Sequence, residues 1–182
     1  MRVFCPRCVA LVAMASGLAF FASPAVADDL PEAKSLTVAV QGEVGQHCAM
    51  GSIPDLKLGD LSSVRGEYRR HVTLDCNVPV DVVVKSANGG LANTLYPQGQ
   101  GPYKGKLNYR LRLSMPVRKP LQSVVSSNFQ SSQLIGGGTL SSDGGIAIDG
   151  MDLAIEFDQL RGDDALLGGD YSEVIEITVT PT

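Results

Sequence analysis

Two histidines and two of the four cysteines stand in a suggestive order, His47-Cys48 and then His71 followed four residues on by Cys76. Imidazoles and thiolates of this kind could hold a metal ion, or the two thiols alone could close a disulfide. The pattern H-C…H-x4-C matches no standard metal site. An even cysteine pair in an exported chain reads first as a disulfide, so Cys48–Cys76 is the expected bridge and metal binding by His47, Cys48, His71 and Cys76 the remote rival.

Other chemistry is hard to assemble from these residues. The chain holds no G-x-S-x-G, H-E-x-x-H, phosphate loop or Rossmann glycine pattern, so no enzyme activity and no cofactor are expected. Asp143, Asp149 and Asp152 lie in SSDGGIAIDGMD, yet their spacing fails the alternate-ligand pattern of a calcium loop and reads as Asp-Gly turns. Arg161-Gly162-Asp163 spells an integrin-type tripeptide and reads as a surface turn. Lys104, Lys106, Arg110 and Arg112 form a modest basic stripe, which reads as the solvated face of a strand.

Export is inferred from residues 1–27. Arg2 and Arg7 flank the start of the apolar run VALVAMASGLAFFA, and Ala25 and Ala27 supply an A-x-A cleavage pattern before Asp28. Cys5 and Cys8 leave with this signal peptide. The whole chain carries a net charge of −4, and losing two arginines makes the mature chain more acidic still. An acidic chain without basic runs is a poor nucleic-acid binder. No apolar stretch in the mature part is long enough for a spanning helix.

The elements that must position these residues are strands. Two-residue alternation recurs along the chain and helical periodicity is nearly absent. SLTVAVQGEV, residues 35–44, puts Leu36, Val38, Val40, Gly42 and Val44 on one face. A short piece follows at DLKLGDL. RRHVTLDC aligns Val72, Leu74 and Cys76; VPVDVVVKS aligns Val80, Val82 and Val84 before the turn Asn88-Gly89-Gly90. KLNYRLRLSM aligns Leu107, Tyr109, Leu111, Leu113 and Met115, and LAIEF aligns Leu153, Ile155 and Phe157. QLIGGGTL and GIAIDG are weaker strands, and residues 118–133 read as a long connection with room for one edge strand. YSEVIEITVTPT closes the array with Tyr171, Ile175, Ile177 and Val179 on one face. Roughly eight short strands separated by Gly, Asn, Asp, Ser and Pro clusters predict an antiparallel β-sandwich of one domain.

In order and spacing, several of these pieces resemble the secreted subunits of bacterial chaperone–usher fimbriae, in the branch that shares its domain with spore coat protein U. The pieces are Cys48 with LKLGDLSS, then HVTLDCNVPVDVVVKSANGG, then LNYRL, then GGDYSEVIEITV, with Glu173 where the family often has Asp. The resemblance spans nearly all of the mature chain. It implies an all-β, immunoglobulin-like sandwich that lacks its last strand and is completed by a donor strand from another subunit. Tyr171, Ile175, Ile177 and Val179 would then wall the acceptor groove that a periplasmic chaperone first fills. Leu36, Val38, Val40 and Val44 would be the donor plugs, with Gly42 at a crowded pocket. The implied organisation is a signal peptide at 1–27, a donor segment at 28–46 and a pilin-like domain at 47–182. The implied partners are other copies or related subunits, a periplasmic chaperone and an outer-membrane usher, and the implied destination is the periplasm and then a surface fimbrium. A self-contained secreted β-sandwich that binds a glycan or matrix component is the main alternative.

Overall fold

The computed structural model describes residues 34–160 and 164–182. The signal-peptide segment, the first residues of the donor segment and Arg161-Gly162-Asp163 lie outside the described residues. The chain divides into two units, Met1–Gly42 and Glu43–Thr182. In the first, residues 34–42 make no ladder, although their alternation predicts a strand. Alternation decides which face of an extended segment is apolar; a ladder needs a partner's backbone as well.

The second unit is built of antiparallel ladders. In chain order the strands are β1 (Cys48–Met50), β2 (Glu67–Val72), β3 (Leu74–Cys76), β4 (Val80–Ser86), β5 (Leu91–Asn93) and β6 (Lys106–Leu107). They continue with β7 (Tyr109–Lys119), β8 (Leu121–Gln130), β9 (Gly138–Ser141), β10 (Ile146–Ala147), β11 (Met151–Phe157), β12 (Tyr171–Ser172) and β13 (Ile175–Pro181). One layer runs β2-β11-β7-β8, with β10 on the far end of β7; the other runs β13-β4-β9. A short β1-β3 ladder and a small β12-β5-β6 sheet complete the set. The chain is therefore an all-β antiparallel sandwich.

The clean alternations build the core. Tyr109, Leu111, Leu113, Met115 and Val117 of β7 are fully buried, and they face Val80, Val82 and Val84 of β4 across the sandwich. β7 pairs with β11 through Ser114 and with β10 from Val117 on. Pro116 sits where the partner changes, the place in a central strand where a residue without an N–H does least damage.

Several expectations change in detail. RRHVTLDC divides between β2 and β3, and KLNYRLRLSM between β6 and β7, each pair in two different sheets. DLKLGDL forms no strand; Leu56 and Leu58 are half-buried in an irregular stretch that leads to a 3-10 turn at Leu61–Ser63. Residues 118–133 are mostly one ten-residue edge strand, β8, hairpinned onto β7. The terminal array is two strands in two sheets, since β12 pairs with β5 whereas β13 pairs with β4.

Candidate functional site

The feature that stands out is the free side of β13. One edge of this strand is bonded to β4 along its length, from Ile175↔Ser86 to Pro181↔Val80, and among the described residues no strand pairs with the other edge. Its inward side chains Ile175, Ile177 and Val179 are only half-buried, whereas their β4 neighbours Val82 and Val84 are 0% exposed. The difference arises because the layer stops at β13 while β4 is covered on both sides. Beside that edge lies an apolar cleft of ≈ 350 Å³. It is lined by Leu153, Ile155 and Phe157 of β11, by Ile175 and Ile177 of β13 and by residues of the Ile53–Leu58 stretch. Between Gly51, whose N–H donates to Thr73 O at 2.8 Å, and Asp60 this stretch makes no backbone–backbone hydrogen bond among the described residues. The cleft thus offers apolar side-chain space and unpaired backbone groups together, which is what an added β-strand needs.

Glu173 fixes the entry to β13. Its Oε2 accepts from Ser86 Oγ and from Gly90 N, both at 2.8 Å, and its Oε1 accepts from Asn88 N at 3.1 Å and Val174 N at 2.8 Å. Gly89 and Gly90 in this turn take φ of +67° and +154°, which a side chain would oppose. Hydrogen bonds to a carboxylate are stronger than neutral ones, so this one side chain ties the turn after β4 to the start of β13. It also explains why the alternating run from Tyr171 to Val179 is not one strand.

Tyr109 closes the inner end of the cleft. It is 1% exposed, and its hydroxyl has no hydrogen-bond partner among the described residues. Burial pushes this hydroxyl up to about 12; the nearby Ser86 hydroxyl, which does not reach bonding geometry, offsets part of the rise, and the Glu173 carboxylate adds to it. A raised value in the folded state means that folding favours the protonated form. The corresponding stability is intact below pH 10.0, the unshifted value, and drains away as the pH climbs to about 12. Absorbance titration should therefore show one late phenolate among the five tyrosines. Tyr109→Phe should remove the late step and hold or raise stability at neutral pH, since it deletes an unpartnered buried hydroxyl worth roughly 1–3 kcal/mol of desolvation.

The remaining candidates are dispersed. Cys48 and Cys76 form the disulfide, directly opposite each other in the β1-β3 ladder. His47 Nε2 lies 3.2 Å from Asp75 Oδ1 and His71 Nδ1 2.9 Å from Asp152 Oδ1, so each histidine has its own carboxylate and the sulfurs are used up. Asp143 takes a turn conformation with φ of +53° and meets Lys119 at 3.2 Å, apart from Asp152. The basic stripe is largely spent: Lys104 pairs with Asp164 at 2.7 Å, Arg110 with Glu156 at 3.2 Å, Lys106 Nζ donates to Asn88 O, and Arg112 Nε donates to Asn128 Oδ1. Tyr171 stands away from Ile175, Ile177 and Val179, its hydroxyl donating to Leu167 O at 2.7 Å. Leu36, Val38, Val40 and Val44 are 89%, 70%, 90% and 84% exposed.

Sequence reasoning missed Tyr109 and Glu173 as parts of the cleft. A usable signal for Glu173 existed, because a carboxylate interrupts an otherwise apolar row of odd-numbered positions. None existed for Tyr109, which reads as an ordinary core residue of β7. The chain matches no family model and no curated protein.

Proposed function

We propose that this chain is a non-enzymatic structural subunit of a surface fimbrium, assembled by donor-strand exchange. The observation that supports this reading is a complementary pair of exposed features. A segment outside any ladder carries apolar side chains at alternate positions, exposed at Leu36, Val38, Val40 and Val44. An apolar cleft lies beside the unpaired edge of β13. In assembly the segment of one copy lies along β13 of the next, backbone bonding supplying affinity and alternate pockets supplying register. Before that step a periplasmic chaperone covers the same cleft, and an outer-membrane usher receives the subunit. Burying four such side chains contributes roughly 6–12 kcal/mol before the cost of ordering the strand.

The test compares the solution mass of two chains, residues 28–182 and the same chain without residues 28–45, each with and without a peptide of residues 30–46. The longer chain should polymerise. The shorter one should be unstable alone and become a stable monomer with the peptide. A longer chain that stays a stable monomer at every concentration refutes the assembly reading and leaves the self-contained binding module.

A further inference from the structure

A second open edge differs from the first in kind. β8 runs for ten residues, LQSVVSSNFQ, and among the described residues pairs only with β7. It contains no charge, proline or glycine, the devices by which an edge strand is usually kept from pairing with another chain. The opposite edge of the same sheet, β2, reads EYRRHV and carries Glu67, Arg69, Arg70 and His71. Guarding is thus present on one edge and absent on the other. Near its end β8 is flanked by β9, where the Phe129 ring lies against Gly138, so the open run is 121–127. Two large apolar side chains, Leu121 and Val124, lie on that run at 79% and 62% exposure with nothing to cover them.

We infer that the β8 edge joins a second copy of this chain, antiparallel and about a two-fold axis at Val124. This inference does not rest on donor-strand exchange. An antiparallel two-fold pair must set residues of equal parity opposite each other, so that each side chain stays on its own face of the joined sheet. Centring on Val124 places it opposite its own mate and Gln122 opposite the mate's Ser126. Because Val124 is opposite Pro116 of β7, a continuous row Pro116–Val124–Val124–Pro116 then crosses the outer face. The adjoining rows read Ser114–Ser126–Gln122–Arg118, so no row brings two like charges together. On the inner face Leu121 lies over the mate's Ser127 and Ser123 over its Val125. Self-pairing therefore covers the exposed apolar groups and confronts no charge with its like, which is the argument for a second copy over any charged partner.

The test is cross-linking in the full chain under mild oxidation, scored as a covalent dimer on non-reducing gels. Val124→Cys should dimerise readily, because a residue on the axis faces itself at disulfide distance. Gln122→Cys and Ser126→Cys should each fail alone, being four residues, or about 13 Å, from their own mates. Mixed together, they should cross-link to each other. Val124→Lys should raise the dimer dissociation constant at least tenfold by setting two ammonium groups face to face. Equal cross-linking at all three positions, none at Val124→Cys, or an unchanged dissociation constant with Val124→Lys would each overturn the inference. The same readouts in a chain carrying Val38→Asp and Val40→Asp separate this contact from donor-strand polymerisation.

Discussion

Val38→Asp with Val40→Asp should stop polymerisation of the full chain while its folded body keeps the wild-type melting temperature. Both side chains are exposed, at 70% and 90%, and residues 34–46 belong to no ladder, so folding has nothing to lose there. Assembly has a great deal to lose. Each valine forfeits roughly 1.5–3 kcal/mol of burial, and each aspartate must be desolvated against Ile155, Ile175 or Ile177 without a cationic partner among the cleft residues. The two together should weaken association by at least about 10³-fold, since each 1.4 kcal/mol is roughly tenfold. Ala39→Asp is the informative control. It lies between the two valines but points to the opposite face of an extended strand, so it should leave assembly within about tenfold of wild type. If Ala39→Asp is as damaging as the valine pair, the segment docks in some form other than a strand. If neither matters, the polymer is held by another surface, and the β8 edge becomes the first one to examine.

What the sequence could and could not say follows from what alternation encodes. In β7 every second residue from Tyr109 to Val117 is apolar and buried, so the face and the sandwich were readable; the span was not, since Leu107 belongs to β6 and the strand runs on to Lys119. β8 was obscured because its inward face, Ser123, Val125, Ser127 and Phe129, is at most half-buried and half polar, which leaves no contrast between faces. Alternation also carries no information about partners. Residues 35–44 alternate cleanly and make no ladder, while Tyr171 to Val179 alternate on either side of Glu173 and change sheet midway. The break occurs at the one odd position whose side chain is a carboxylate, Glu173, held by the 86–90 turn. The cleft was implied only through resemblance. Its walls are contributed by β11, β13 and the 53–58 stretch, segments far apart in sequence that no spacing rule connects.

Replacing Cys48 and Cys76 together by alanine should have the largest effect on the stability of the subunit itself. The bridge spans 28 residues. In the chain-entropy model closing such a loop contributes roughly 3–4 kcal/mol, and for a domain of this size the melting temperature should fall by about 10 °C. Local geometry makes the loss uneven. β1 has three residues and among the described residues pairs only with β3, so the bridge is its covalent attachment to the core, which Cys76 enters at 4% exposure. The stretch from Ala49 to Asp60 follows directly on that attachment and includes the Ile53–Leu58 residues that line the cleft, held otherwise by the packing of Ile53 and Leu58 and by Gly51 N–H on Thr73 O. Limited proteolysis of the double variant, well below its melting temperature, should therefore cut first within residues 47–60 while β4, β7 and β11 resist. In donor-strand assembly the segment ahead of Cys48 is held by the neighbouring copy, and tension along a fibre would enter this subunit at β1 and cross the sulfur–sulfur bond into β3. A melting temperature lowered by the expected amount, with no preferential cutting at 47–60, would make the bridge a general staple of the fold. Early cutting there would make it the anchor of the donor segment, and fibres of the double variant should then fail under load at β1 before the donor strand leaves its cleft.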